Sequence, residues 1–140
     1  MISGQWIVSE GETKFMHIRS YKDLTVWQKS MDLTVEVYQL VKLLPKEETY
    51  ALADQMRRAV VSIPSNIAEG QERNSTRDFL RFLSIARGSQ AELETQLQIC
   101  ERLNYISAEK LQIAFGLCDE VNKMLNVFIS KFKNKLTTDN

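Results

Sequence analysis

From Leu24 to Phe132 apolar residues recur at intervals of three and four, and only two prolines and five glycines stand anywhere in the 140 residues. That spacing lines side chains along one face of an α-helix. So few breakers favour long helices over many short strands.

Four runs carry the pattern. The first spans about Leu24 to Leu44, with Leu24, Trp27, Met31, Val35, Tyr38 and Val41 as its expected core stripe. Asp23 is placed to cap it, and Pro45 stops it, because the residue before a proline is pushed out of the helical region. The second begins near Glu47 or Glu48, where acids suit the helix dipole, and runs to about Glu69. Its stripe of Leu52, Met56, Ala59, Val60, Ile63 and Ile67 crosses Pro64 without losing phase. One helix kinked at Pro64 is therefore expected, since Pro64 cannot donate to the Val60 carbonyl and crowds it. Gly70 suits its C-terminal cap.

The third run follows Ser75, an N-cap with Asp78 three residues on, and ends near Asn104. Its stripe is Phe79, Phe82, Leu83, Ala86, Gln90, Leu93, Leu97 and Cys100. Ser107 caps the fourth, whose stripe is Leu111, Ala114, Leu117, Cys118, Val121, Leu125, Phe128 and Phe132. Short connections between four amphipathic helices predict an all-α, antiparallel, up-down-up-down four-helix bundle over residues 21–133. Residues 1–20 lack periodicity and read as a flexible N-terminal arm, and residues 134–140 as a frayed tail. The patterned sequence begins just after Met16, an alternative start that would remove Glu10, Glu12 and Lys14 and move the net charge from 0 to +1.

The 18 basic and 18 acidic residues cancel, so any basic surface has to be local. No apolar run approaches the ~20 residues that span a bilayer, and the first residues lack the basic start and apolar middle of a signal peptide. Cys100 and Cys118 lie within helical patterns and outside any CxxC spacing. Two reduced, partly buried thiols in a cytoplasmic protein are expected, the alternative being a disulfide between helices.

Catalytic and metal chemistry find little support. The one histidine, His17, lies in the arm and is expected to be solvated. There is no glycine-rich phosphate loop and no ExxH pair of the kind a bundle di-metal site uses. Glu92 and Glu94 are two apart and do not share a helix face. Glu69 is expected to cap or to form a salt bridge rather than to act as an acid or base. No enzyme activity, cofactor, metal or small-molecule substrate is expected.

Binding surfaces are better represented. Arg73, Arg77 and Arg81 are spaced by four, and Arg57 and Arg58 lie beside or opposite the stripe of the second helix. These five are the candidate phosphate contacts, since arginine forks match phosphate oxygens. Pairing with Glu69, Glu72 or Asp78 is the competing account. Lys131, Lys133 and Lys135 add a basic run near the C-terminus, or a solvated tail. Ser84, Gly88, Ala91 and Thr95 form a row of small residues opposite the third stripe. An interior glycine costs a helix about 1 kcal/mol relative to alanine, and a small row lets another helix come close. These four are the candidate oligomer interface.

The segments DLTVWQKSMDL, QMRRAVVSIPSNIAEG and FLRFLSIARGSQAELETQL, in this order and spacing, resemble the four-helix-bundle family first noted as the product of intervening sequences inside bacterial 23S ribosomal RNA genes. The resemblance covers about Tyr21 to Phe132. It implies an antiparallel bundle, usually a homopentamer, with no established catalytic activity. A related branch, the accessory variability proteins of diversity-generating retroelements, binds a reverse transcriptase and RNA through basic surfaces of a pentameric barrel. The resemblance makes Asn66, Glu69, Arg87, Ser89 and Glu92 positions of a polar motif for structure or assembly. This chain departs from that branch in its neutral charge, and its arm has no counterpart. The function expected is a homo-oligomeric adaptor that binds RNA or a nucleic-acid-processing, reverse-transcriptase-like partner through basic patches. The alternative is a structural protein–protein interaction module with no nucleic-acid role.

Overall fold

The computed structural model describes the backbone of residues 5–9, 12–16 and 20–139, and side chains within residues 20–137. His17 lies outside the described residues. From Tyr21 onward the chain is all helical: α1 (Thr25–Val41), α2 (Leu52–Gln71), α3 (Thr76–Arg102) and α4 (Ala108–Asp139), with 3-10 turns at Tyr21–Asp23 and Lys46–Glu48. Each helix packs on the next, and α1 packs on α4, closing a four-helix bundle.

Cross-helix contacts fix the directions of three helices. Gly70 faces Phe82, the Ser62 hydroxyl meets that of Ser89 at 2.8 Å, and the Cys100 thiol lies 3.6 Å from the Met56 sulfur. Rising numbers on α2 meet falling numbers on α3, so the pair is antiparallel. Likewise Phe79 packs on Phe132, Arg87 reaches Asn126, and Gln90 reaches the Cys118 carbonyl, so α3 and α4 are antiparallel. The end of α2, the start of α3 and the end of α4 therefore share one end of the bundle.

The core is the predicted stripe of α2, α3 and α4 almost residue for residue, with Leu52 and Leu117 only partly buried. Gln90 is fully enclosed, and its amide donates to Glu94 Oε2 at 3.0 Å and to the Cys118 carbonyl at 3.4 Å. Those acceptors replace the water that burial removes and so offset the cost of enclosing the amide.

α1 departs from expectation. Its buried face is Val26, Ser30, Leu33, Val37, Leu40 and Val41, whereas Met31, Val35 and Tyr38 are 38%, 62% and 40% exposed. The helix carries two apolar faces, and the one with the polar interruption, Ser30, turns inward. Its hydroxyl donates to the Trp27 carbonyl at 2.8 Å, so no polar atom is stranded there.

Three terminal assignments change as well. Asp23 does not cap α1, whose N-cap is Leu24 without a side-chain bond. Instead Ser20 and Asp23 close a capping box on the preceding 3-10 turn. Gly70 lies inside α2, and Glu72 is the C-cap. A Cβ on Gly70 would stand 2.7 Å from Phe82 Cβ and 3.0 Å from Phe79 Cδ1, so this glycine serves close helix approach. The α4 helix continues past Lys133 to Asp139, with Leu136 partly buried against the core. Ser75 and Ser107 do bond the amides of Asp78 and Lys110, at 3.1 and 3.4 Å. Asn104, at φ 60°, turns the chain from α3 into α4.

Pro64 is buried within one uninterrupted α2. The carbonyl it leaves without a backbone donor, that of Val60, lies 3.4 Å from the Thr34 hydroxyl of α1, which also donates to Ser30 at 2.8 Å. In the arm, β1 (Gln5–Ser9) and β2 (Glu12–Met16) pair antiparallel with Trp6 opposite Phe15, and β1 lies beside α1 and α4. Helical periodicity could not reveal this hairpin. The available signal was the two-residue gap, Glu10-Gly11, between two short β-prone runs.

Candidate nucleic-acid interface

The five candidate arginines separate in space. Arg57 donates to the Thr49 carbonyl at 3.1 Å and Arg58 pairs with Asp54 at 3.2 Å, both in the first half of α2 and away from the α2–α3 turn. Arg73, Arg77 and Arg81 gather around that turn, at the end where α4 finishes. Arg73 pairs with Glu69 at 2.9 Å, which gives Glu69 a salt-bridging role. The guanidinium carbons of Arg73 and Arg81 stand 5.1 and 4.7 Å from the centre of the Phe82 ring. Two cations thus share one ring that is itself 6% exposed. Arg77 and Arg81 form no ion pair among the described residues, and neither Glu72 nor Asp78 engages them. Phe79 and Phe132, 5.1 Å apart, bring Lys131, Lys133 and Lys135 to the same end.

Two of the five polar-motif residues, Arg87 and Ser89, bond across helices, whereas Asn66, Glu69 and Glu92 bond within one turn. Asn66 donates to the Ser62 carbonyl at 2.7 Å and to its hydroxyl at 2.9 Å, and that hydroxyl meets Ser89. Arg87 spans to α4 through Asn126 Oδ1 at 3.1 Å. Glu92 accepts from buried Gln96 at 3.2 Å, and the Gln96 carbonyl oxygen has no partner among the described residues. Ser62, Phe82, Asn126 and Gln96 are the participants that sequence reasoning missed. Phe82 and Ser62 stand inside quoted segments, but only the packing shows what they touch.

Ser84, Gly88, Ala91 and Thr95 all face outward, and a Cβ on Gly88 would meet nothing within 4 Å. The Thr95 hydroxyl turns back to the Ala91 carbonyl at 2.9 Å. Arg77 and Arg81 head this row, since each is seven residues, two turns, before Ser84 and Gly88 respectively. Both cysteines are free and fully buried. Burial pushes the Cys100 thiol up to about 11 and the Cys118 thiol up to about 12, so both stay protonated near neutrality. Among the described residues no three His, Cys, Asp or Glu side chains come together as a metal set, and no helix is long and apolar enough to cross a membrane.

Four helices packed in sequence and closed by α1 on α4, with Ser89 and Arg87 bonding across to neighbouring helices, define a helical-bundle protein. The chain belongs to the family described as 23S rRNA-intervening sequence protein, which it matches over residues 22–127. It is also similar to a crystal structure of a protein with unknown function from the S23 ribosomal protein family of Bacteroides thetaiotaomicron. The two are 31% identical with a TM-score of 0.70, over 75% of this chain and 98% of the other. No curated protein sequence matches the chain.

Proposed function

We propose that this chain is a cytoplasmic, non-enzymatic adaptor that assembles as a homo-oligomer, a pentamer in the form its family resemblance implies, and binds RNA through the arginine-bearing end of the bundle. The observation that carries this reading is a local set of arginines. In a chain with no formal net charge, Arg73, Arg77 and Arg81 gather around the α2–α3 turn; Glu69 takes Arg73, and Arg77 and Arg81 are left without a carboxylate partner among the described residues. Several copies of a weak patch bind by avidity where one neutral chain would not.

Filter binding with a structured RNA across a salt series tests it. The protein is expected to bind at ~50 mM salt and to lose affinity steeply as salt rises, because phosphate contacts release counterions. Arg77→Glu with Arg81→Glu is expected to weaken binding at least about tenfold, or about 1.4 kcal/mol, with the oligomer unchanged. Absence of binding by the wild type at low salt overturns the RNA reading. One observation favours a second reading, a protein-docking module: the outward strip of Met31, Val35 and Tyr38 on α1, with Val61 of neighbouring α2 also exposed. Contiguous exposed apolar surface marks protein contact.

A further inference from the structure

We infer that Arg73 and Arg81, held together on the Phe82 ring, form one phosphate-binding unit of the RNA contact, and that Glu69 restrains this unit by occupying Arg73 until a phosphate takes its place. This rests on the RNA reading above and adds to it a restraining residue and the bond that RNA has to displace.

The packing of α2 on α3 builds the unit. Gly70 carries no Cβ, and Phe82 Cβ lies 2.7 Å from where one would stand, so the root of the Phe82 side chain is wedged against α2. Arg73 is anchored to the same glycine, since its amide donates to the Gly70 carbonyl at 3.2 Å. Arg81 comes from the other side of the turn, one residue before Phe82. Their guanidinium carbons stand 5.1 and 4.7 Å from the centre of the ring. The ring is buried, while both arginines are exposed. Phe82 is thus a fixed base, and the charges it holds are open to solvent. Two like charges beside one ring repel each other, and an anion that touches both relieves that repulsion.

Glu69 supplies half of such an anion. Its Oε1 accepts from Arg73 Nη2 at 2.9 Å, with both side chains about half exposed. Arg81 meets no carboxylate among the described residues. Glu69 has two opposed effects: it steadies Arg73, and it takes up the charge that a phosphate would use. Magnitudes decide between them. An exposed ion pair one turn apart steadies a side chain only weakly, and the ring holds Arg73 in any case. Competition for the guanidinium acts against every phosphate that arrives. A phosphate offers the same paired oxygens as a carboxylate, so Arg73 keeps its hydrogen bonds in the exchange, and Glu69 is released to water.

The test uses the full chain and the structured RNA of the salt series, read by fluorescence anisotropy. Glu69→Gln is expected to tighten binding about threefold at low salt, and the gain should fade as salt screens the pair. The gain should disappear when Arg73 is also changed to Gln and shrink when Arg81 is. Asp54→Asn is the matched control: it removes the same charge and frees Arg58 from an equivalent pair in the first half of α2, and it should leave affinity unchanged. Unchanged or weaker binding by Glu69→Gln, an equal gain from Asp54→Asn, or a gain that persists without Arg73 or ignores Arg81→Gln overturns the inference. Light scattering and circular dichroism accompany each variant. A Glu69→Gln protein of altered size or helicity assigns Glu69 to assembly and overturns the inference as well. If Arg77→Glu with Arg81→Glu still weakens binding in any of those cases, the RNA reading survives without the restraint. If neither the wild type nor Glu69→Gln binds RNA at ~50 mM salt, both fall.

Discussion

Gly70 shows how one missing side chain sets a helix–helix distance. Alanine would be the better helix former by about 1 kcal/mol, but its Cβ would stand 2.7 Å from Phe82 Cβ. That neighbour is the stiff root of a buried side chain, so the helices themselves have to separate. Overpacking of this kind costs about 1–3 kcal/mol. Gly70→Ala is therefore expected to lower stability despite its propensity gain, and chemical denaturation would show it as a reduced midpoint. Equal or higher stability would mean that the α2–α3 contact yields easily. The same displacement would shift Phe82 and the two guanidinium groups that share its ring, so Gly70 also positions the candidate binding end.

Among the elements, α1 and α2 each raise a question that substitution can answer. In α1 the inward face contains Leu33, fully buried, and the outward face Val35, 62% exposed. Leu33→Ala is expected to cost about 2–5 kcal/mol as a core truncation. Val35→Ala should stay within about 0.5 kcal/mol in the monomer. A reversed order in thermal unfolding would restore the stripe that the spacing first suggested. In α2 the Val60 carbonyl, which Pro64 cannot serve, lies 3.4 Å from the Thr34 hydroxyl, whose single proton is shared with the nearer Ser30 carbonyl. Thr34→Val should destabilise the protein by about 1 kcal/mol, and by less when Pro64→Ala supplies a backbone N–H. A double-mutant cycle measures this difference. Additive effects would show that the 3.4 Å contact contributes nothing to holding α1 on α2.

The whole molecule presents one end bearing Arg73, Arg77 and Arg81, a row of small residues along α3 and an apolar strip on α1. Gly88 belongs to the row and opens onto space, with nothing within 4 Å of where its Cβ would be. The Cβ of a leucine there meets nothing in the monomer and the residue should raise helix propensity, yet it would hold a second helix away. Gly88→Leu is expected to shift the assembly toward monomer with helicity retained, as read by light scattering and circular dichroism. An oligomer of unchanged size would move the interface off the row, with the Met31, Val35 and Tyr38 strip as the next surface to alter.

Periodicity, breakers and caps in the chain by themselves determined four helices, the starts of α3 and α4 at Ser75 and Ser107, and the inward faces of α2, α3 and α4. Those signals are local: each depends on residues within a few turns of one another, and on α2, α3 and α4 only one face is apolar enough to bury. For α1 two faces met the same spacing, and the larger side chains marked the wrong one. The choice belongs to the neighbours, because α2 and α4 fit the Leu33–Val37 face and Ser30 satisfies its own hydroxyl within the helix. Gly70 read as a cap for a similar reason, since only the approach of Phe82 reveals why it lacks a side chain. The candidate site was legible as a list of arginines and not as a place. Separation of Arg57 and Arg58 from Arg73, Arg77 and Arg81, and the meeting of Phe132 with Phe79 at the end that bears them, follow from antiparallel packing over more than fifty residues of chain, a distance that no local pattern spans.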